Sequence, residues 1–358
     1  MPATRPTIAI SMGDPLGIGP EVVLRSLLDA RLRTAARYVV HGWSPALLRA
    51  AQALGVEPFW WRVPEGEAVE HASDTHDVLL VDPPAGEAPD ASLLDHPPAP
   101  TKQGGALSFS CVDRAIADCL RPEGDPRRAD ALVTAPINKA AWALAGRGKY
   151  PGHTELLATR ARAKRFRMVF ASDALRVALC TAHLPLMELR NALTIGRVHE
   201  TIDLANDFCA ELGVASPRIA VCGLNPHAGE DGLLGDEDGR IITPAIHAAL
   251  QQGINAKGPF PADTIFREAR LDEPARRYDI VVAMYHDQGL IPVKLLAFDN
   301  AVNCTQGLPF VRTSPDHGTA YDIARAYRAS DSSMRRAVDL AVRLSVERAL
   351  SRRAAPSS

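Results

Sequence analysis

Three histidines directly follow apolar runs: His183 after RVALCTA, His227 after RIAVCGLNP and His286 after DIVVAMY. A neutral imidazole is the commonest metal ligand, and three of them leave coordination positions open for a substrate, as catalytic rather than structural sites do. One such histidine alone is more often a satisfied loop or core residue; three at equivalent strand ends favour a shared ion. Asp287, beside His286, is placed to orient an imidazole. The stretch GHTE sets His153 and Thr154 ahead of the helical pattern ELLATRAR. There a helix N-terminus, a hydroxyl and an imidazole can meet an anion, or Thr154 simply caps the helix. Lys294, Asn303 and Arg312 follow in VKLLAFDNAVNCTQGLPFVRTS. A flexible cation, an amide and a planar cation are suitable donors to phosphate and carboxylate groups.

These side chains need rigid elements behind them. Short β-branched apolar runs predict strands over Thr7–Met12, Tyr38–His41, Val78–Val81, Ala131–Thr134, Met168–Ala171, Arg176–Thr181, Arg218–Cys222 and Asp279–Met284. Helical patterns cover Pro20–Leu28, Ser44–Leu54, Lys102–Leu120, Val198–Leu212, Thr243–Gln251 and Ser332–Arg352. Strands separated by helices imply an α/β fold with a largely parallel sheet covered on both faces. In such sheets ligands bind beyond the carboxyl ends of the strands, where the three histidines stand. After Tyr285 a turn is expected at Gly289. Pro84–Pro100 and the tail after Leu350 read as exposed loop or disorder, and no linker marks a domain boundary.

Composition excludes several classes. The 358 residues are 46% hydrophobic, enough for about two domains, and the net charge is only -2. No basic run supports nucleic-acid or anionic-membrane binding, and no apolar window reaches the ~18 residues of a spanning helix. The expected address is the cytoplasm. The six cysteines form no Cys-x-x-Cys pair and sit in apolar runs, as reduced core residues do. The glycine-rich SMGDPLGIGPE follows a strand and precedes a helix, but it is not G-x-G-x-x-G and lacks the acidic residue at the end of a second strand.

Taken together, SMGDPLGIGPE, TAPINK, YPGHTE, TAHLPL, GLNPHAGEDGLLG, GPFPADTIF, AMYHDQGLIPVK and VNCTQGLPFVRTSPDHGTA closely resemble the 4-hydroxythreonine-4-phosphate dehydrogenase family of pyridoxal 5'-phosphate biosynthesis. The match runs over residues 7–325 in the family's order. The resemblance implies a two-lobed fold like that of isocitrate and isopropylmalate dehydrogenases, with a cleft between the lobes and no need of the ordinary dinucleotide fingerprint. It implies a first lobe of residues 1–135 plus 295–350 and a second lobe of 136–294 carrying the metal ligands and dimer contacts. By the same likeness, metal falls to His183, His227 and His286, and substrate to His153, Thr154, Lys294, Asn303 and Arg312. The implied assembly is a homodimer in which His286 completes a metal site begun by His183 and His227 of the other subunit.

The implied reaction is oxidation of the C3 hydroxyl of 4-phosphooxy-L-threonine with NAD or NADP, followed by loss of carbon dioxide to leave 3-amino-2-oxopropyl phosphate. One divalent ion per site, zinc, cobalt, manganese or magnesium, assists both steps. Asp263 and Asp287 are the candidate bases, although Asp263 serves equally well as a cap for a helix beginning near Thr264. Paralogues that oxidise threonate or erythronate 4-phosphate are the alternative. A metal-dependent hydrolase or aldolase on a phosphorylated substrate, or a non-catalytic receptor for one, is the reading from other classes. Residues contacting the dinucleotide are not readable.

Overall fold

A computed structural model describes residues 5–64, 75–84 and 86–354. Its contacts divide the chain into two units, Met1–Lys164 with Leu308–Ser358, and Arg165–Gly307.

The first unit holds β1 (Thr7–Ser11), β2 (Arg37–His41), β3 (Trp61–Pro64), β4 (Val78–Asp82), β5 (Ala131–Thr134) and a late strand, Val311–Pro315. They lie side by side in the order β3-β4-β2-β1-β5 and then Val311–Pro315, every pair parallel. The central strands are buried, apart from Thr7 at the start of β1, because helices cover both faces. One face packs on the Lys102–Cys119 helix, whose Phe109, Val112 and Ile116 meet Ala9 and Leu132. The Ser332–Ala354 helix is bonded to the late strand, Thr313 Oγ1 donating to Ala337 O at 2.8 Å.

The second unit holds β6 (Arg167–Ala171), β7 (Arg176–Leu179), β8 (Ile219–Cys222), β9 (Ala256–Phe260), β10 (Ile280–Ala283) and β11 (Val302–Gln306); Val311–Pro315 is accordingly β12. Their order is β11-β6-β7-β10-β8-β9. Pairs β11/β6 and β6/β7 are antiparallel, and β7/β10, β10/β8 and β8/β9 are parallel. Val177, Leu179, Val281 and Ala283 form the core with Leu290 and Val293 of the His286–Ala297 helix.

The chain first crosses between units after Lys164 rather than after residue 135, and it returns after Gly307 rather than after 294. The segment after β5 stays with the first unit because its helices pack there. A Cβ on Gly105 would come within 2.0 Å of Ala141 O, and Leu156 and Leu157 lie in the same core as Phe109. β11 stays with the second unit through its pairing with β6. Pro84–Pro100 is not all exposed loop, since Leu93 and Leu94 of a short 3-10 turn are buried. The final helix runs on to Ala354, so the start of the tail is helical, and residues 355–358 lie outside the described residues. All six cysteines are buried, and none is in a disulfide.

Glycines of SMGDPLGIGPE make room for the chain's own backbone. A Cβ on Gly13 would sit 2.4 Å from Pro136 O, on Gly17 2.8 Å from Thr319 O and on Gly19 2.3 Å from Met12 O. The whole turn is buried. It therefore has no exposed cradle for a pyrophosphate, which is the physical reason its spacing departs from the dinucleotide fingerprint.

Candidate active site

β7 and β10 are neighbours, so their carboxyl ends deliver their histidines together. Thr181 Oγ1 donates to Met284 O at 2.8 Å, tying the two exits. Beyond that tie the rings of His183 and His286 stand with centroids 5.7 Å apart and planes inclined by 42°. His183 is exposed and His286 partly so. The His286 Nδ1 lies 2.7 Å from Asp287 Oδ1. A carboxylate only accepts, so this contact puts the proton on Nδ1 and leaves the Nε2 lone pair available.

The sequence reading placed a turn at Gly289. Instead a helix begins at His286 itself and runs to Ala297, through Pro292. Gly289 serves packing: a Cβ there would lie 2.7 Å from Leu179 Cδ2 and 2.8 Å from Val177 Cγ1. The first helical turn thus sits close against β7, which holds His286 to the strand edge.

His227 stands in Pro226–Gly232, beyond β8. From His227 to Asp231 the backbone is left-handed, with φ of 51, 55, 84, 44 and 54°. Four of those five residues are not glycine, and each costs roughly 1–2 kcal/mol in that conformation. Strain of this kind persists only where its surroundings impose it, and it concentrates at functional sites. This run lines a cavity of about 800 Å³ together with Asp236, Asp238, Arg240 and Thr243. Gln288 and Asp238, neither singled out from sequence, grip the root of the run. Gln288 Nε2 donates to Gly223 O at 2.7 Å, and Asp238 accepts from Leu224 N at 2.7 Å and Asn225 N at 3.1 Å. The position of Gln288 in HDQG, two residues past a strand-end histidine, was the available signal.

Asp263 lies exposed in the first turn of the Ala262–Glu268 helix, whose N-cap is Pro261, so it caps nothing by its side chain. Asp287 is engaged by His286, the orienting role among the two considered for it. Lys294 is half-buried on the His286 helix with its ammonium 4.9 Å from the Phe298 ring centroid. Asn303 is on β11, in register with Phe170 of β6. Among the described residues no three His, Cys, Asp or Glu side chains are close enough to hold one ion.

The remaining residues belong to the first unit. Arg312, on β12, is 3% exposed and donates through Nη2 to Thr134 Oγ1 at 2.8 Å. Thr134 lies in the TAPINK stretch and was not singled out. His153 opens the His153–Ala161 helix with its ring 5.8 Å from that of Trp142. Its Nε2 is buried without a hydrogen-bond partner. Desolvation, and then the Arg312 charge, hold its pKa well below the usual 6.5, so it is neutral at pH 7. Thr154 is not the cap, since Gly152 occupies that position. The Thr154 hydroxyl is thus not committed as a cap.

The first unit thus carries a buried arginine and an imidazole at a helix start, and the second unit carries paired strand-end histidines, each on an α/β framework. The profile of the pyridoxal phosphate biosynthetic protein PdxA matches residues 34–341. The chain is 44% identical to the 4-hydroxythreonine-4-phosphate dehydrogenase of Geobacter metallireducens, over 96% of this chain and 97% of that one. It is 43% identical to the D-threonate 4-phosphate dehydrogenase of Salmonella typhimurium, over 94% and 98%. A crystal structure of the 4-hydroxythreonine-4-phosphate dehydrogenase from Klebsiella pneumoniae aligns with a TM-score of 0.81 at 40% identity, covering 96% of this chain and 99% of that one. The chain belongs to the PdxA family.

Proposed function

We propose that this PdxA-family dehydrogenase oxidises the C3 hydroxyl of 4-phosphooxy-L-threonine with NAD or NADP, giving a β-keto acid that decarboxylates to 3-amino-2-oxopropyl phosphate. The observation that carries the reading is the His183–His286 pair at adjacent strand ends, in a chain that matches 4-hydroxythreonine-4-phosphate dehydrogenases over nearly its whole length.

The imidazoles suit a divalent ion by donor type. Two rings bound to one ion through nitrogens about 2.0–2.1 Å away have centroids roughly 4.5–5.5 Å apart, and the His183 and His286 rings, at 5.7 Å, need only a small approach to reach that range. His183, His286 and His227 would hold the ion, which supplies Lewis acidity for both oxidation and decarboxylation. Asp287 fixes the His286 tautomer. Arg312, His153 and Thr154 hold the phosphate, and Lys294 and Asn303 the rest of the polar substrate. Asp263 is the remaining candidate to take the hydroxyl proton, being exposed and uncommitted as a cap. The nicotinamide accepts the hydride.

A homodimer accounts for the second unit's surface. The helix that begins at His286 turns Ile291, Leu295 and Phe298 outward at 59%, 81% and 68% exposure. A contiguous apolar face beside exposed ligands calls for a second copy. In the shared-site form, His286 serves the partner's His183 and His227. The closeness of His183 and His286 within one chain favours a second form in which those two act together. Co-expressing differently tagged His183→Ala and His286→Ala chains separates them. Purified mixed dimer has one intact site of two in the shared form and shows activity; in the second form no site is whole and it shows none.

The substrate alternative also has an observation behind it, the 43% identity to a D-threonate 4-phosphate dehydrogenase. Formation of reduced nicotinamide at 340 nm is measured with 4-phosphooxy-threonine, threonate 4-phosphate and erythronate 4-phosphate. Turnover of the first at a kcat/KM at least tenfold above the others is expected. A tenfold preference for either sugar-acid phosphate overturns the substrate assignment, and no turnover of any overturns the dehydrogenase reading.

A further inference from the structure

We propose that Gln288 is a positioning residue that ties the His227 loop to the His286 helix and so sets where the third imidazole stands. The inference rests on the metal reading above. Its side-chain amide is used at both ends: Oε1 accepts from Met284 N at 2.6 Å and Nε2 donates to Gly223 O at 2.7 Å. Met284 precedes His286 by two residues, and Gly223 precedes His227 by four. One amide therefore bridges the exits of β10 and β8.

The rest of the loop root is held from other sides. Gly223 N donates to Phe260 O at 2.8 Å, and the N–H groups of Leu224 and Asn225 go to Asp238, which is 2% exposed. A Cβ on Gly223 would stand 2.7 Å from Asp238 Oδ1, so the backbone is pressed against that carboxylate. Buried backbone polar groups must be paired, and here the pairing fixes a direction as well as a depth. The Gln288 bond reaches from this root to the histidine-bearing helix. Past the root the chain enters the left-handed run His227–Asp231, which relaxes toward ordinary conformations unless its ends are pinned.

Asp287 and Gln288 have different tasks. Asp287 sets which nitrogen of His286 is presented, whereas Gln288 sets the place of His227. Only an amide does the second. Glutamate keeps the acceptor for Met284 N but turns an oxygen toward Gly223 O, and methionine keeps the volume with neither bond.

The test uses the full-length protein, stripped by chelation and titrated with Co²⁺ by calorimetry and by the visible spectrum of the bound ion. Gln288→Glu and Gln288→Met should each weaken Co²⁺ binding by about 10–100-fold, while the melting temperature of the metal-free protein falls by no more than about 2–4 °C. Amide exchange across residues 224–231 should quicken in both. In a His227→Ala background, adding Gln288→Glu should change Co²⁺ affinity less than twofold, because the imidazole it positions is gone. Binding within twofold of the unsubstituted protein in both single variants overturns the proposal, as does a further tenfold loss in the His227→Ala background. If the unsubstituted protein binds no Co²⁺, the metal reading fails instead. The tie is then judged by exchange alone, and unchanged protection of residues 224–231 in both variants overturns it.

Discussion

The residues proposed to hold an anion in the first unit and the imidazole edge of the second are built in opposite ways. Arg312 is buried within a sheet, bonded to a threonine of the neighbouring strand, and the imidazole of His153 is desolvated. His183 and His227 are exposed, and the helix after His286 presents apolar side chains to the outside. Arg312 is shielded from water within its own chain, so its bond to Thr134 is strong without help from another chain. The proposed metal ligands of the second set stand more open to water. Anion binding should therefore be a property of one folded chain, and metal chemistry a property of the assembly.

Breaking the second region should have the largest effect. His286→Ala is expected to lower kcat by about 10³-fold, the loss of several kcal/mol of charge stabilisation, measured at 340 nm with saturating substrate; exhaustive chelation should match it. Near-normal turnover in either case removes the metal from the reaction. Replacing Leu295 and Phe298 together by Asp should yield monomer in sedimentation velocity and lower kcat by at least about 10²-fold. The contrast between regions sharpens if this monomer still binds inorganic phosphate within about threefold, and it collapses if phosphate affinity disappears with the dimer.

Arg312→Ala should lower kcat/KM by roughly 10–150-fold, the value of a charge-assisted hydrogen bond, mostly through KM, with Co²⁺ affinity unchanged. Equal losses in metal affinity would show that the regions are not separable. The smallest effect concerns His153. Its folded pKa lies below 6.5, so between the two values the unfolded chain holds more protons than the folded one. Its contribution to stability is thus complete above pH 6.5 and is lost as pH falls toward the folded value. The ring proton resonances of His153 should not shift between pH 8 and 6.5, and a midpoint near 6.5 would show that the imidazole is solvated.

Eight strands and six helices were legible because apolar periodicity marks buried elements. The four strands that were not legible explain themselves. β3 is exposed at three of its four residues, and β9 contains Gly258 and Pro259, residues a ladder tolerates poorly. β11, VNCTQ, and β12, VRTSP, are polar because they carry Asn303 and Arg312. Their polar residues remove the apolar run by which a buried strand is recognised. The His286 helix was hidden by Gly289 and Pro292, which read as breakers, although Gly289 is what lets the helix approach Leu179. The strand-end placement of His183 and His286 was visible from residue type and position. Gln288, Asp238 and Thr134 were not, since a supporting side chain has no periodicity and shows its partner only in three dimensions.

The left-handed run after His227 also bears on how this enzyme will respond to laboratory selection. At Ala228, Glu230 and Asp231 a glycine would relieve roughly 1–2 kcal/mol of backbone repulsion and give back about 0.5–1 kcal/mol in unfolded-chain freedom, so a screen for heat resistance alone should enrich glycine there. The same changes widen the range of directions in which His227 can point. Variants chosen for survival and variants chosen for turnover should diverge at these three codons before they diverge anywhere in the sheets, and the divergence would test the role proposed for this loop without a single kinetic measurement.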